Sequence, residues 1–67
     1  MTNTKMLRDF IKDAGIKYGA VAKAANLTYQ GFLNKMNNDS EFKVSEIKSI
    51  SKFTNMPKDI RDEIFFA

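Results

Sequence analysis

The sequence contains no cysteine and no histidine. Without cysteine there is no disulfide, and without either residue the usual structural zinc site is ruled out. The missing imidazole also removes the usual general base near neutral pH. No apolar run approaches the length of a signal-peptide core or a membrane-spanning helix. A cytoplasmic protein with no membrane association is therefore expected. Gly15, Gly19 and Gly31 follow no phosphate-loop spacing, and no segment has the composition of a disordered tract.

A chain of 67 residues with 43% hydrophobic content supports one domain, residues 1–67, around a small core. Its acids mostly fall on expected solvent faces or in loops. Asp59 and Glu63 are one helical turn apart and could be drawn as a carboxylate pair, but at an exposed helix edge they read as surface charge. No catalytic residue, cofactor or metal ligand is expected, and the protein reads as a non-enzyme. Met6, Met36 and Met56 read as core filler.

The formal net charge is +3, unevenly spread. Residues 1–35 hold six lysines and arginines against two acids, while residues 36–67 hold five against six. The basic half suits a surface that faces phosphate, or is simply an unevenly charged solvated face.

Periodicity predicts five short helices and no strands. In the first, Leu7 to Ala14, apolar residues at Met6, Leu7, Phe10, Ile11 and Ala14 form one stripe, with Thr2 or Thr4 as the cap and Gly15 as the stop. Ile16 packs under the following turn. Tyr18 to Ala25 forms the second helix, for which Lys17 is a poor cap. Asn26 leaves that helix through a left-handed turn, Thr28 caps the next, and Tyr29 to Met36 forms the third. Asn37 to Lys43 is a polar loop anchored by Phe42, with Asn37 or Asn38 as the left-handed exit. Val44 to Thr54 forms the fourth helix, burying Val44, Ile47, Ile50 and Phe53, with Asn55 as its C-cap. Pro57 suits the first turn of the fifth, which closes the chain over Asp59 to Phe66, with Ile60, Ile64 and Phe65 towards the core.

Residues 18–37 are the centre of this plan, two short helices at a tight turn, with Leu27 filling the angle opposite Val21 and Phe32. The segment V-A-x-x-A-N-L-T at 21–28, Phe32, Lys35-Met36-Asn37 and E-I-K-S-I at 46–50 resemble the phage repressor and Cro family of helix-turn-helix regulators. With the opening and closing helices the resemblance covers nearly the whole chain. It implies an all-α, lambda-repressor-like domain whose third helix enters the DNA major groove. Three departures stand out. Tyr18 occupies a position usually held by glutamine, Asn26 replaces the usual turn glycine, and the third helix carries Gly31 but no arginine.

At about 100° per residue, Gln30 and Asn34 lie opposite Phe32 and Met36 and project outward, where their amides can read adenine. Ordinary polar surface is the plainer reading of the same two residues. Tyr29 joins them as a base contact. Thr28, Lys35, Lys17, Tyr18 and Lys43 are the expected phosphate contacts. Leu33 and Gly31, with Tyr29, offer an alternative use of the helix as a small apolar patch for a protein partner. Two functions follow from the resemblance. One is a Cro-like transcriptional regulator in a phage lysis–lysogeny switch, binding double-stranded operator DNA as a homodimer in the bacterial host. The other is a modulator or antirepressor of the same fold that binds the phage repressor protein. Phe66, with Phe65 beside it, is the expected dimer contact, or else an ordinary exposed residue.

Overall fold

A computed structural model describes residues 2–67 of the chain. Among the described residues there are five helices and no strands: α1 (Thr4–Asp13), α2 (Tyr18–Ala24), α3 (Tyr29–Met36), α4 (Val44–Thr54) and α5 (Lys58–Phe65). α2 packs against both α3 and α4, and α1 packs against α5. None of these helices is long and apolar enough to cross a membrane.

The first four helices end in the same way. Gly15, Asn26, Asn38 and Asn55 have φ of +70°, +60°, +62° and +56°. Each is followed by a backbone N–H that reaches five residues back to a helical carbonyl: Ile16 to Ile11 at 3.3 Å, Leu27 to Ala22, Asp39 to Asn34 and Met56 to Ser51 at 2.9 Å each. This is the Schellman closure, and it satisfies carbonyls that a helix end leaves without partners. Asparagine serves at three of the four turns because it tolerates the left-handed region better than other residues with a side chain. Three of the four following residues, Ile16, Leu27 and Met56, turn back onto the core.

The helix starts are less uniform. α1 begins at Thr4, a turn earlier than its apolar stripe predicts, because the Asn3 side chain accepts from the Met6 N–H at 3.1 Å. Asn3 is thus the cap, not Thr2 or Thr4. Its own N–H donates to Ile64 O at 2.7 Å, fastening the start of α1 to α5. Ala14 lies at the end of α1 and is exposed, so it does not extend the stripe. Lys17 precedes α2 without a side-chain cap, and Thr28 caps α3 as its sequence predicts. Pro57 stands just before α5, one position ahead of the expected first turn, and its carbonyl accepts from Arg61.

The core takes Leu7 and Ile11 from α1, Val21 and Ala22 from α2, Phe32 and Met36 from α3, Ile47 and Ile50 from α4, and Ile64 and Phe65 from α5. Aromatic rings run through it edge to face: Tyr18 to Phe32 at 5.7 Å, Phe32 to Phe42 at 6.0 Å, and Phe42 to Phe65 at 5.5 Å between centroids. Such contacts add about 0.5–1.5 kcal/mol each beyond area burial. The chain of rings links the α2–α3 pair through the 37–43 loop to the closing helix.

Two residues expected in the core of α4 are outside it: Val44 is 72% exposed and Phe53 50% exposed. A row of apolar residues at every third position winds around a helix by about 60° per step, since three residues advance only about 300°. With Ile47 and Ile50 at the centre, Val44 and Phe53 fall on opposite flanks. Thr54 takes the last place on the buried side instead, with its hydroxyl donating to Ile50 O at 2.7 Å.

Candidate nucleic-acid interface

α3 is held by its buried face and by its start. Phe32 and Met36 are essentially inaccessible. Thr28 Oγ1 accepts from the Gly31 N–H at 3.0 Å. A Cβ on Gly31 would lie 3.0 Å from that same oxygen. The missing side chain therefore leaves room for the cap, and this accounts for Gly31 without a partner approaching it.

Gln30 and Asn34 are exposed on the opposite face, as the helical spacing predicts. Gln30 Nε2 donates to Asn34 Oδ1 at 3.0 Å, so the two amides meet in the open, one turn apart. Tyr29 stands beside them at the helix start, 54% exposed. Leu33 and Gly31 are half-buried. The apolar surface that a protein partner would meet on α3 is thus mainly the Tyr29 ring.

The expected phosphate contacts divide. Lys17 and Lys43 are exposed, as is Lys23, and none of the three enters an ion pair among the described residues. Thr28 is exposed at the start of α3. Tyr18 is half-buried, its ring against Phe32. Lys35 does not join them. Its ammonium donates to Glu41 O at 2.8 Å and lies 3.5 Å from Glu46 Oε1, with both side chains nearly out of water. The same Glu46 oxygen accepts from the Lys43 N–H at 2.7 Å, closing the first turn of α4. Lys35 is therefore a clamp between the end of α3 and the start of α4. Its long stem lets the charged head fold back over the loop instead of projecting outward.

One cation near α3 has no local signal in the sequence. Arg8, on α1, donates through Nη2 to Asn37 Oδ1 at 3.0 Å, bringing an exposed guanidinium to the C-terminal end of α3 from 29 positions away. Only the tertiary packing reveals it.

Away from this face, Val44, Ile47, Lys48, Arg61 and Phe66 line an open groove of about 270 Å³ between α4 and α5. Phe66 is 56% exposed there. Phe65 is not a surface contact: it is buried, edge-on to Phe42.

Comparison with family models, with curated proteins and with solved structures gives no match to this chain.

Proposed function

We propose that this protein is a small Cro-like transcriptional regulator of the kind used in a phage lysis–lysogeny switch. In this reading 18–37 is a helix-turn-helix unit of a lambda-repressor-like domain, and α3 reads operator DNA in the major groove. The observation that carries it is the outer face of α3, where Gln30 and Asn34 are exposed opposite a buried Phe32 and Met36. Side-chain amides are among the groups that read adenine edges in the major groove. The α3 start, capped by Thr28, offers N–H groups and a dipole end suited to phosphate.

Of the cations that enter no ion pair among the described residues, this reading uses Lys17, Lys23 and Lys43, with Arg8 as a fourth at the C-terminal end of α3. So few cations neutralise only a handful of phosphates, and affinity follows the number neutralised. One subunit therefore binds weakly. Useful specificity comes from two copies on half-sites about 34 Å apart, with Phe66 and its groove as the contact between them. The protein acts by binding and is not an enzyme, and this role puts it in the cytoplasm of a bacterial host cell.

The test is a titration of operator-region DNA at two salt concentrations, with and without the repressor encoded alongside. Sequence-specific binding by the protein alone, at micromolar concentration and falling steeply with salt, is expected. A tight complex with the repressor and no DNA binding would establish the modulator instead.

A further inference from the structure

We infer that the end of α4 carries a second docking surface, separate from the α3 face and from the Val44–Phe66 groove. Its occupant is an acidic segment of another protein that carries an apolar side chain.

The surface lies where α2 ends against the second half of α4. Ala24, Ser49, Lys52 and Phe53 line an open recess of about 440 Å³ there. The winding of the apolar row on α4 creates it. Val44 falls on the flank towards α5, and Phe53 falls on the flank towards α2. Phe53 is 50% exposed and packs on no other ring among the described residues. Ala24 and Ser49 beside it are small and leave the recess its depth. A partly exposed ring at the edge of a recess is the type of anchor that interface centres use.

Charge decides what covers it. From Ala14 to Asn38 the chain has no acid, and from Phe42 to Lys58 it has only Glu46. The Glu46 carboxylate is nearly out of water and is already held by Lys35 and the Lys43 N–H. Lys52 is exposed and enters no ion pair among the described residues. A partner therefore meets an apolar ring beside an uncompensated ammonium, and its complement is a carboxylate close to an apolar side chain. The backbone of duplex DNA brings phosphate to Lys52 but nothing apolar to Phe53. A second copy could bring the acids of α5. However, Asp62 is held by Arg61 at 3.0 Å, and Phe66 lines its own groove beside Val44. The occupant that satisfies both groups is another protein.

The ten residues from Lys43 to Phe53 span about 15 Å along α4. Lys43 is on the side given to DNA in the proposal above, and Phe53 lies a helix length beyond it. The partner thus docks without displacing duplex. Only this last point rests on the DNA-binding reading; the surface itself does not.

The experiment is selection of a randomised displayed-peptide library on the full chain, with sequencing of what is enriched. Fluorescence anisotropy then compares the enriched peptides on the wild type, Phe53→Ser, Lys52→Glu, Lys52→Arg and Gln30→Ala, with and without saturating duplex. Thermal melting checks that each variant is folded. The enriched peptides should carry aspartate or glutamate close to a leucine or an aromatic residue. Phe53→Ser should weaken them about ten-fold or more, as loss of an interface anchor does. Lys52→Glu should weaken them similarly, while Lys52→Arg, Gln30→Ala and added duplex leave them unchanged.

Enrichment of no peptide, or of peptides without acids, overturns the inference, as does equal binding to Phe53→Ser and the wild type. Binding of a single-stranded oligonucleotide that Phe53→Ser abolishes, with no peptide enriched, overturns the protein partner in favour of nucleic acid. Self-association that Phe53→Ser removes overturns it in favour of a second copy. Displacement of the peptide by duplex overturns the separation of the two surfaces. A wild type that binds acidic peptide through Phe53 but binds no duplex supports this surface and removes the DNA-binding reading.

Discussion

Lys35 Nζ and Glu46 Oε1 are 3.5 Å apart, on side chains only 13% and 10% exposed, and they join the end of α3 to the start of α4. Removing the ammonium leaves a buried carboxylate held only by the Lys43 N–H. Lys35→Ala should therefore lower stability by about 1–3 kcal/mol, the usual range for orphaning a buried hydrogen-bonding group. Urea denaturation reads this directly. At temperatures where the variant is folded, the salt dependence of DNA binding should match the wild type. Unchanged stability with a flattened salt slope would put Lys35 back on the DNA face.

Asn26 gives a second expectation, set by its backbone. With φ at +60°, Asn26→Gly should be neutral or mildly stabilising. Asn26→Val should cost about 1 kcal/mol or more, because β-branching clashes in the left-handed region. Equal melting temperatures for the two variants would contradict the turn. The same contrast is expected at Asn38 and Asn55, which share its conformation.

Why these turns were legible, and other features not, follows from the range of the forces involved. Asn26, Asn55 and the Thr28 cap act within a few residues of themselves, so their roles could be read from local chemistry, as could the α3 bounds and its inward Phe32 and Met36. The outward position of Gln30 and Asn34 followed from the helical step alone. The burial of Lys35 depends on where the 37–43 loop turns, and the reach of Arg8 to Asn37 depends on how α1 lies against the rest. Val44 and Phe53 lie outside the core because an apolar row at every third position winds around the helix and does not form a straight stripe. Phe65 and Phe66 are neighbours in sequence, and Phe42 decides which of them is buried.

Gly31 tests the cap. Alanine gains about 1 kcal/mol over glycine inside a helix, but here its Cβ meets Thr28 Oγ1 at 3.0 Å, and loss of the threonine cap costs about 1 kcal/mol. Gly31→Ala alone should thus change stability little. In a Thr28→Ala background it should stabilise by about 1 kcal/mol, since no oxygen is left to crowd. A full gain from Gly31→Ala in the wild type would show that the cap tolerates a side chain there.

Phe66 and Val44 flank the α4–α5 groove and are mainly exposed. If two copies meet there, Phe66→Ser should shift the sedimentation-derived mass toward monomer without altering the melting temperature by more than a few degrees, as expected of surface changes within about 0.5 kcal/mol. A wild type that is monomeric at high concentration without DNA would exclude this groove as a stable dimer interface.

The central claim is that the outer face of α3 is the surface that meets DNA. Amide chemical-shift mapping by NMR, on adding duplex containing the operator region, tests it residue by residue. The largest changes should fall on Thr28 to Asn34, with smaller ones near Lys17, Lys23 and Lys43. The amides of Val44 to Ile50 and of α5 should move little at a duplex excess that keeps one copy per duplex. Changes centred on the Val44–Phe66 groove, or none at all across Thr28 to Asn34, would contradict the account.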